Sequence, residues 1–195
     1  MTDIKFPQNL KNPGFDFLDY EIPWIVPDSL IFLDKIISPS DVALDLGSGG
    51  STLYFLKKLL KVYAIETNSD WFQKVKDRVA EKSLDENLKY FLATDQDNII
   101  TILNSITSKI NVATVDTMKG INRTALLSNL LQRPEKPEII ILDNWAHSKM
   151  FKGIASLSNN ELLEKFNIKN YEVFDFYHND WIGNGTRLLV NINRL

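Results

Sequence analysis

The run Asp45-Leu46-Gly47-Ser48-Gly49-Gly50 carries the residue types best suited to receive a charged ligand. It follows the apolar stretch Val42 to Leu46 and precedes Ser51-Thr52-Leu53-Tyr54-Phe55-Leu56, whose spacing is helical, so the glycines form a strand-to-helix turn. Glycine there permits positive φ and lets main chain come close to a ligand. The amide groups that open the helix favour a carboxylate or phosphate. Twenty-one residues beyond Asp45, a second apolar run, Val62-Tyr63-Ala64-Ile65, ends in Glu66. In an open α/β sheet this acid stands beside the glycine turn and can accept hydrogen bonds from ribose hydroxyls. Turn and acid together predict a nucleoside-cofactor site.

The spacing separates one cofactor class from another. A dinucleotide fingerprint starting at Gly47 requires glycine at position 52, where Thr52 stands. Pyrophosphate binding, and with it a nicotinamide-dependent oxidoreductase, loses ground. An aspartate ahead of the first glycine suits a ligand bearing an ammonium group. The expected cofactor contacts are therefore Asp45, Gly47, Ser48, Gly49 and Glu66.

Further polar residues fall at later strand ends. Asp116 and Asp143 close the fourth and fifth predicted strands, and two carboxylates on adjacent strand ends repel unless a cation, a proton or a cationic substrate lies between them. His147, four residues past Asp143, is either a base in a metal-free mechanism or a surface residue. His178 lies in the C-terminal hairpin, whose loop is placed to shape an acceptor pocket. Arg123 opens a helix near Asp116; it binds an acidic acceptor or, more plainly, pairs with Asp116.

The elements that must position these residues alternate along the chain. Pro27-Asp28 starts a helix with Leu30, Ile31, Leu33 and Ile37 on one face. Strands are predicted at 42–46, 61–66, 88–93, 111–115, 138–142, 171–176 and 186–192, with helices after the first five. The all-apolar Ile139-Ile140-Ile141-Leu142 reads as a central parallel strand buried on both faces. Such alternation predicts a single α/β domain over 1–195: a mainly parallel sheet, helices on both faces, and a C-terminal antiparallel hairpin. Residues 1–26 hold Phe6, Phe15, Phe17, Tyr20 and Trp24 between prolines, and are expected to cover the sheet or overhang the site as a lid.

Composition bounds the partners. The chain of 195 residues is 44% hydrophobic and 24% charged, a globular balance. A net charge of −3 gives no general attraction to nucleic acid or anionic lipid, so neither is expected as a partner. There is no cysteine, hence no disulfide and no thiolate zinc site. No apolar run reaches the ~18 residues of a membrane span, and the N-terminus lacks a basic-then-apolar leader, which predicts a cytoplasmic protein.

The Asp45-to-Gly49 turn with Glu66 resembles the first and second motifs of the class I S-adenosylmethionine-dependent methyltransferases, over a region from about Trp24 to the C-terminus. The resemblance implies a Rossmann-like seven-stranded sheet with an antiparallel last strand, S-adenosylmethionine as cofactor, and Asp95, just past the third strand, as a contact to the adenine amino group. Gln96 and Asp97 are equally well placed for that contact, although Asp97 also suits the cap of the next helix. The stretches Val115-Asp116-Thr117-Met118-Lys119 and Leu142-Asp143-Asn144-Trp145 resemble the catechol and caffeoyl-coenzyme A O-methyltransferases. That likeness implies magnesium held by Asp116, Asp143 and Asn144, an oxygen-only set of the kind magnesium prefers, with Lys119 as base. The long N-terminal helices of that group are not evident here. The expectation is a methyltransferase acting on a small molecule, at oxygen; the alternative is a binding domain that keeps the fold without catalysis.

Overall fold

The computed structural model describes residues 4, 6, 17–117, 120–178 and 185–195. After a short helix α1 (Phe17–Tyr20) and helix α2 (Pro27–Ile36) come β1 (Val42–Leu46), α3 (Gly50–Lys58), β2 (Lys61–Glu66), α4 (Ser69–Glu81), β3 (Leu88–Leu92), α5 (Gln96–Ser105), β4 (Val112–Val115), α6 (Arg123–Gln132), β5 (Ile139–Asp143), α7 (Asn159–Lys165), β6 (Tyr171–Phe176) and β7 (Thr186–Asn191). The seven strands form one sheet in the order β3-β2-β1-β4-β5-β7-β6. Strands β3, β2, β1, β4 and β5 run parallel, while β7 is antiparallel to both β5 and β6. This is the fold expected from the alternation of apolar runs.

Side-chain alternation on the strands divides the core in two. Leu44, Leu46, Ile140 and Leu142 face α5, α6 and α7, where Ile99, Leu103, Leu126, Leu130 and Leu162 meet them. Ala43, Val62, Ile139 and Ile141 face α2, α3 and α4 through Leu30, Leu33, Leu53, Phe55, Val75 and Val79. Every residue of β5 is buried, as its uninterrupted branched sequence requires between two helical layers. No helix among the described residues is long and apolar enough to cross a membrane.

The N-terminal segment packs differently from its reading. Leu18, Ile22, Ile25 and Val26 are buried against the α2–α4 side, yet the aromatics Tyr20 and Trp24 stay 41% and 44% exposed. These aliphatic residues provide most of the cover, joined by Phe6, which packs partly buried on the same cluster. Phe15 lies outside the described residues.

Helix starts follow side-chain capping. Asn68 caps α4, Asn122 caps α6 and Ser158 caps α7, each accepting from a first-turn amide. Helix α5 begins two residues earlier than expected because Asp95, rather than Asp97, is its cap, accepting from Asn98 N at 2.8 Å.

Candidate active site

The strand order reverses between β1 and β4, which places the turns after these two strands side by side at the carboxyl edge of the sheet. That edge, at the reversal, is where open α/β sheets bind ligands. Gly47 takes φ +96°, and a Cβ there would lie 2.2 Å from the main-chain oxygen of Asp116. The first glycine therefore serves contact between two chain segments as well as the turn. Gly49 is extended, and a Cβ on it would meet only the Trp71 indole at ordinary distance.

Asp45 is fully buried and anchors the first turn of α3: Ser51 Oγ and Thr52 Oγ1 donate to its Oδ2 at 2.8 and 2.6 Å. Its other oxygen, Oδ1, is buried with no partner among the described residues, as are the hydroxyls of Thr114 and Thr117. Thr114 is the register neighbour of Asp45 on β4. Desolvation pushes the Asp45 carboxyl up to about 7, against the lowering effect of the two hydroxyls and with help from the nearby charges of Asp116 and Glu66.

Glu66 sits at the end of β2 beside the turn, as predicted, but it is 2% exposed and already occupied. Its Oε2 accepts from Ser48 N at 3.1 Å and Ser48 Oγ at 2.9 Å; its Oε1 accepts from Thr67 N at 2.7 Å and Asn68 N at 2.9 Å. A carboxylate offers about four acceptor positions, so a sugar hydroxyl reaches Glu66 only if Ser48 turns away. Tyr90 OH lies 2.5 Å from Ser48 Oγ, and Trp71 Nε1 donates to Ser48 O at 2.7 Å. Trp71 and Tyr90 are site residues that sequence reasoning did not assign. Tyr90, read as core, reaches the turn because it is the register partner of Ala64 on the face of β2 that also bears Glu66.

A cavity of about 720 Å³ opens at the same edge, lined by Thr67 and Asn68 after β2, Thr94 to Asp97 after β3, and Gly120 and Ile121 beyond β4. Asp95 lies on this wall, exposed; hydrogen bonds from Asn98 N and Thr94 Oγ1 hold its carboxyl below the usual range. The Glu66 carboxylate fixes the amides of Thr67 and Asn68 from behind, so it shapes the wall without facing the space.

Asp116 and Asp143 end up on neighbouring strands, and a cation does lie between those strand ends. It is Arg123, at the start of α6 and 4% exposed. Its Nη2 donates to Asp116 Oδ1 at 2.8 Å and to Thr117 O at 2.6 Å, its Nε to Thr117 O at 3.0 Å, and its Nη1 to Asp143 O at 2.7 Å. The plainer expectation for Arg123 holds: four of the five guanidinium N–H groups are engaged within the protein, one of them by Asp116. Burial raises Asp116 to about 6 despite Arg123, while 29% of its side chain still meets solvent. Burial and the nearby Asp116 charge push Asp143 well above the ordinary range.

The expected magnesium set does not fit this arrangement. Asp143 is 3% exposed; Asn144 Nδ2 donates to its Oδ2, and Thr186 Oγ1 to its Oδ1 at 3.4 Å. Asp116 is tied to a guanidinium, and Asn144, at φ +54°, turns its amide back onto Asp143. Among the described residues no group of three or more acidic or histidine side chains is placed to hold a metal. Lys119, the expected base, lies outside the described residues, as does the tip of the β6–β7 hairpin next to exposed His178. His147 is half-buried in the turns after β5, with Nδ1 accepting from Lys149 N at 3.3 Å, and no hydrogen bond among the described residues joins it to either acid.

The sheet order, the reversal between β1 and β4 and the antiparallel β7 define the fold of the class I S-adenosylmethionine-dependent methyltransferases, and comparison with solved structures agrees. The O-methyltransferase TomG of Streptomyces achromogenes, solved with S-adenosylmethionine, superposes with TM-score 0.62 at 13% identity over 97% of this chain and 92% of its own. An rRNA methylase from Streptococcus thermophilus gives TM-score 0.60 at 14% identity, covering 84% of this chain and 94% of its own. TrmK of M. capricolum, in complex with S-adenosylhomocysteine, gives 0.56 at 18% identity over 87% and 70%. No family model matches the chain, and no curated protein matches it. Because an RNA methylase stands among these structures, the fold gives no ground for excluding nucleic acid as a partner.

Proposed function

We propose that this chain is an S-adenosylmethionine-dependent methyltransferase that acts on a hydroxyl of a small-molecule acceptor. The observation that carries this reading is the contact of Gly47 with the Asp116 main chain, which brings the glycine turn and the β4 acid together at the sheet edge where the cavity opens. The residues fit the cofactor's chemistry: Asp45 Oδ1 is an unpartnered buried acceptor behind the turn, and Thr67, Asn68 and Asp95 offer polar groups along a cavity large enough for a nucleoside. S-Adenosylmethionine supplies, when bound, a methyl group on a sulfonium centre already activated for displacement. The protein's task is then positioning and proton removal. Asp116, with a carboxyl near 6 and part of its side chain open, takes the proton of the acceptor hydroxyl. Arg123 keeps that carboxylate in place. Trp71 holds the turn through its hydrogen bond to Ser48 O, with the indole against Gly49.

A small acceptor is favoured over a polynucleotide by the net charge of −3, which gives no general attraction to a polyanion. Calorimetric titration with S-adenosylhomocysteine is the direct test: saturable binding is expected, and its absence in the folded wild type refutes the assignment. Methyl transfer measured on small hydroxylated acceptors against total RNA then separates the acceptor classes, with transfer to RNA overturning the small-molecule part.

A further inference from the structure

Arg123 is the most fully engaged cation among the described residues, and its position asks for an explanation beyond helix packing. It bridges the loops after β4 and β5 through Thr117 O, Asp143 O and Asp116 Oδ1, with a side chain 5% exposed. Phe151 packs against the guanidinium at 5.9 Å, which shields it from water on that side. These are the two strand ends whose acids would otherwise repel each other. A guanidinium answers that repulsion with fixed, forked geometry, which a hydrated lysine or a loosely held ion does not. One oxygen of Asp116 is thereby pinned, and no hydrogen bond among the described residues reaches the other.

We propose that Arg123 is the resident cation of this site, a positioning residue that takes the place a divalent metal would need and presents the other oxygen of Asp116 to the acceptor without any metal. The use made of Asp116 rests on the methyltransferase reading; the replacement of a metal by the guanidinium does not.

The test is a thermal-shift and calorimetric titration of the full chain with magnesium chloride at mildly alkaline pH, in wild type, Arg123→Ala and Arg123→Lys. Wild type is expected to show no saturable magnesium binding, and its affinity for S-adenosylhomocysteine is expected to be the same in excess chelator as in millimolar magnesium. Removing the guanidinium leaves Asp116 and Asp143 uncompensated, so magnesium should raise the melting temperature of Arg123→Ala by about 2–4 °C. Arg123→Lys restores the charge without the fork; it should melt below wild type and ignore magnesium. A guanidinium that only packed α6 would not create magnesium dependence. If Arg123→Ala does not fold, Arg123→Gln, uncharged and of similar reach, takes its place with the same expected response. Saturable magnesium binding by wild type, magnesium-dependent affinity for S-adenosylhomocysteine, or no magnesium response in the uncharged variants overturns the proposal. Failure to bind S-adenosylhomocysteine under any condition strikes the methyltransferase reading and leaves the magnesium result standing.

Discussion

Gly47 shows how one residue joins two strands. Its φ of +96° is costly for any residue with a Cβ, and the Asp116 carbonyl occupies the space a Cβ needs. Gly47→Ala should lose on the order of 2–4 kcal/mol, combining backbone strain with overpacking; urea unfolding measures it, and a loss within error would mean that the two turns separate freely. Asp45 makes a second prediction, of opposite character. Its carboxyl stands near 7 in the folded protein against an ordinary value of 3.8. Between these values the folded state holds a proton that the unfolded state has released, so stability falls as pH rises through that window and stays lower above it. Asp45→Asn keeps the shape while removing the titration, and should flatten the fall between about pH 4 and about pH 7 by an amount on the order of a few kcal/mol. Equal pH dependence in both proteins would show that Asp45 is not the group responsible.

At the scale of elements, capping and cross-links decide how the loops are held. Thr186, the first residue of β7, accepts from Val26 N at 3.0 Å and donates toward Asp143 Oδ1. This one hydroxyl joins the N-terminal segment to the end of β5. Thr186→Val would leave the buried Val26 amide without its acceptor and should cost about 1–3 kcal/mol, with faster amide exchange across 18–26 while the β1–β4 amides keep their protection. Uniform acceleration would mean instead that the segment and the sheet open together. On the other side of β5, Arg187 stacks 3.3 Å from the Trp145 ring and pairs with Asp175 through two bonds of 2.5 and 2.6 Å. Trp145 in turn faces Phe151 at 6.2 Å, and Phe151 faces Arg123. Two cations thus bracket two rings between the hairpin edge and the β4 acid, tying the loops after β4 and β5 to β7.

For the whole molecule, ligand binding and stability are linked. A ligand that binds only the folded state at about a hundred times its Kd adds about 2.7 kcal/mol, which for a chain of this size raises the melting temperature by roughly 5–10 °C. S-Adenosylhomocysteine should produce that rise. NADH should produce none, since Thr52 stands where the dinucleotide fingerprint requires glycine. The reverse pattern would replace the methyltransferase reading with an oxidoreductase.

The order of elements, the buried β5 and the glycine turn followed by Glu66 were all legible in the sequence, because period-two and 3.6-residue patterns and glycine punctuation are local properties of the chain. That two acids at neighbouring strand ends, Asp116 and Asp143, call for a cation, a proton or a cationic substrate between them followed as well. That the cation is Arg123 did not follow. That depended on α6 starting where Arg123 reaches three loop acceptors, a matter of packing between segments far apart in sequence. Tyr90 came to the turn through strand register, and Glu66 had its oxygens claimed by Ser48, Thr67 and Asn68 only once the turn had closed. Periodicity names the elements, but hydrogen-bond partners across them are chosen by three-dimensional proximity, which no local pattern encodes.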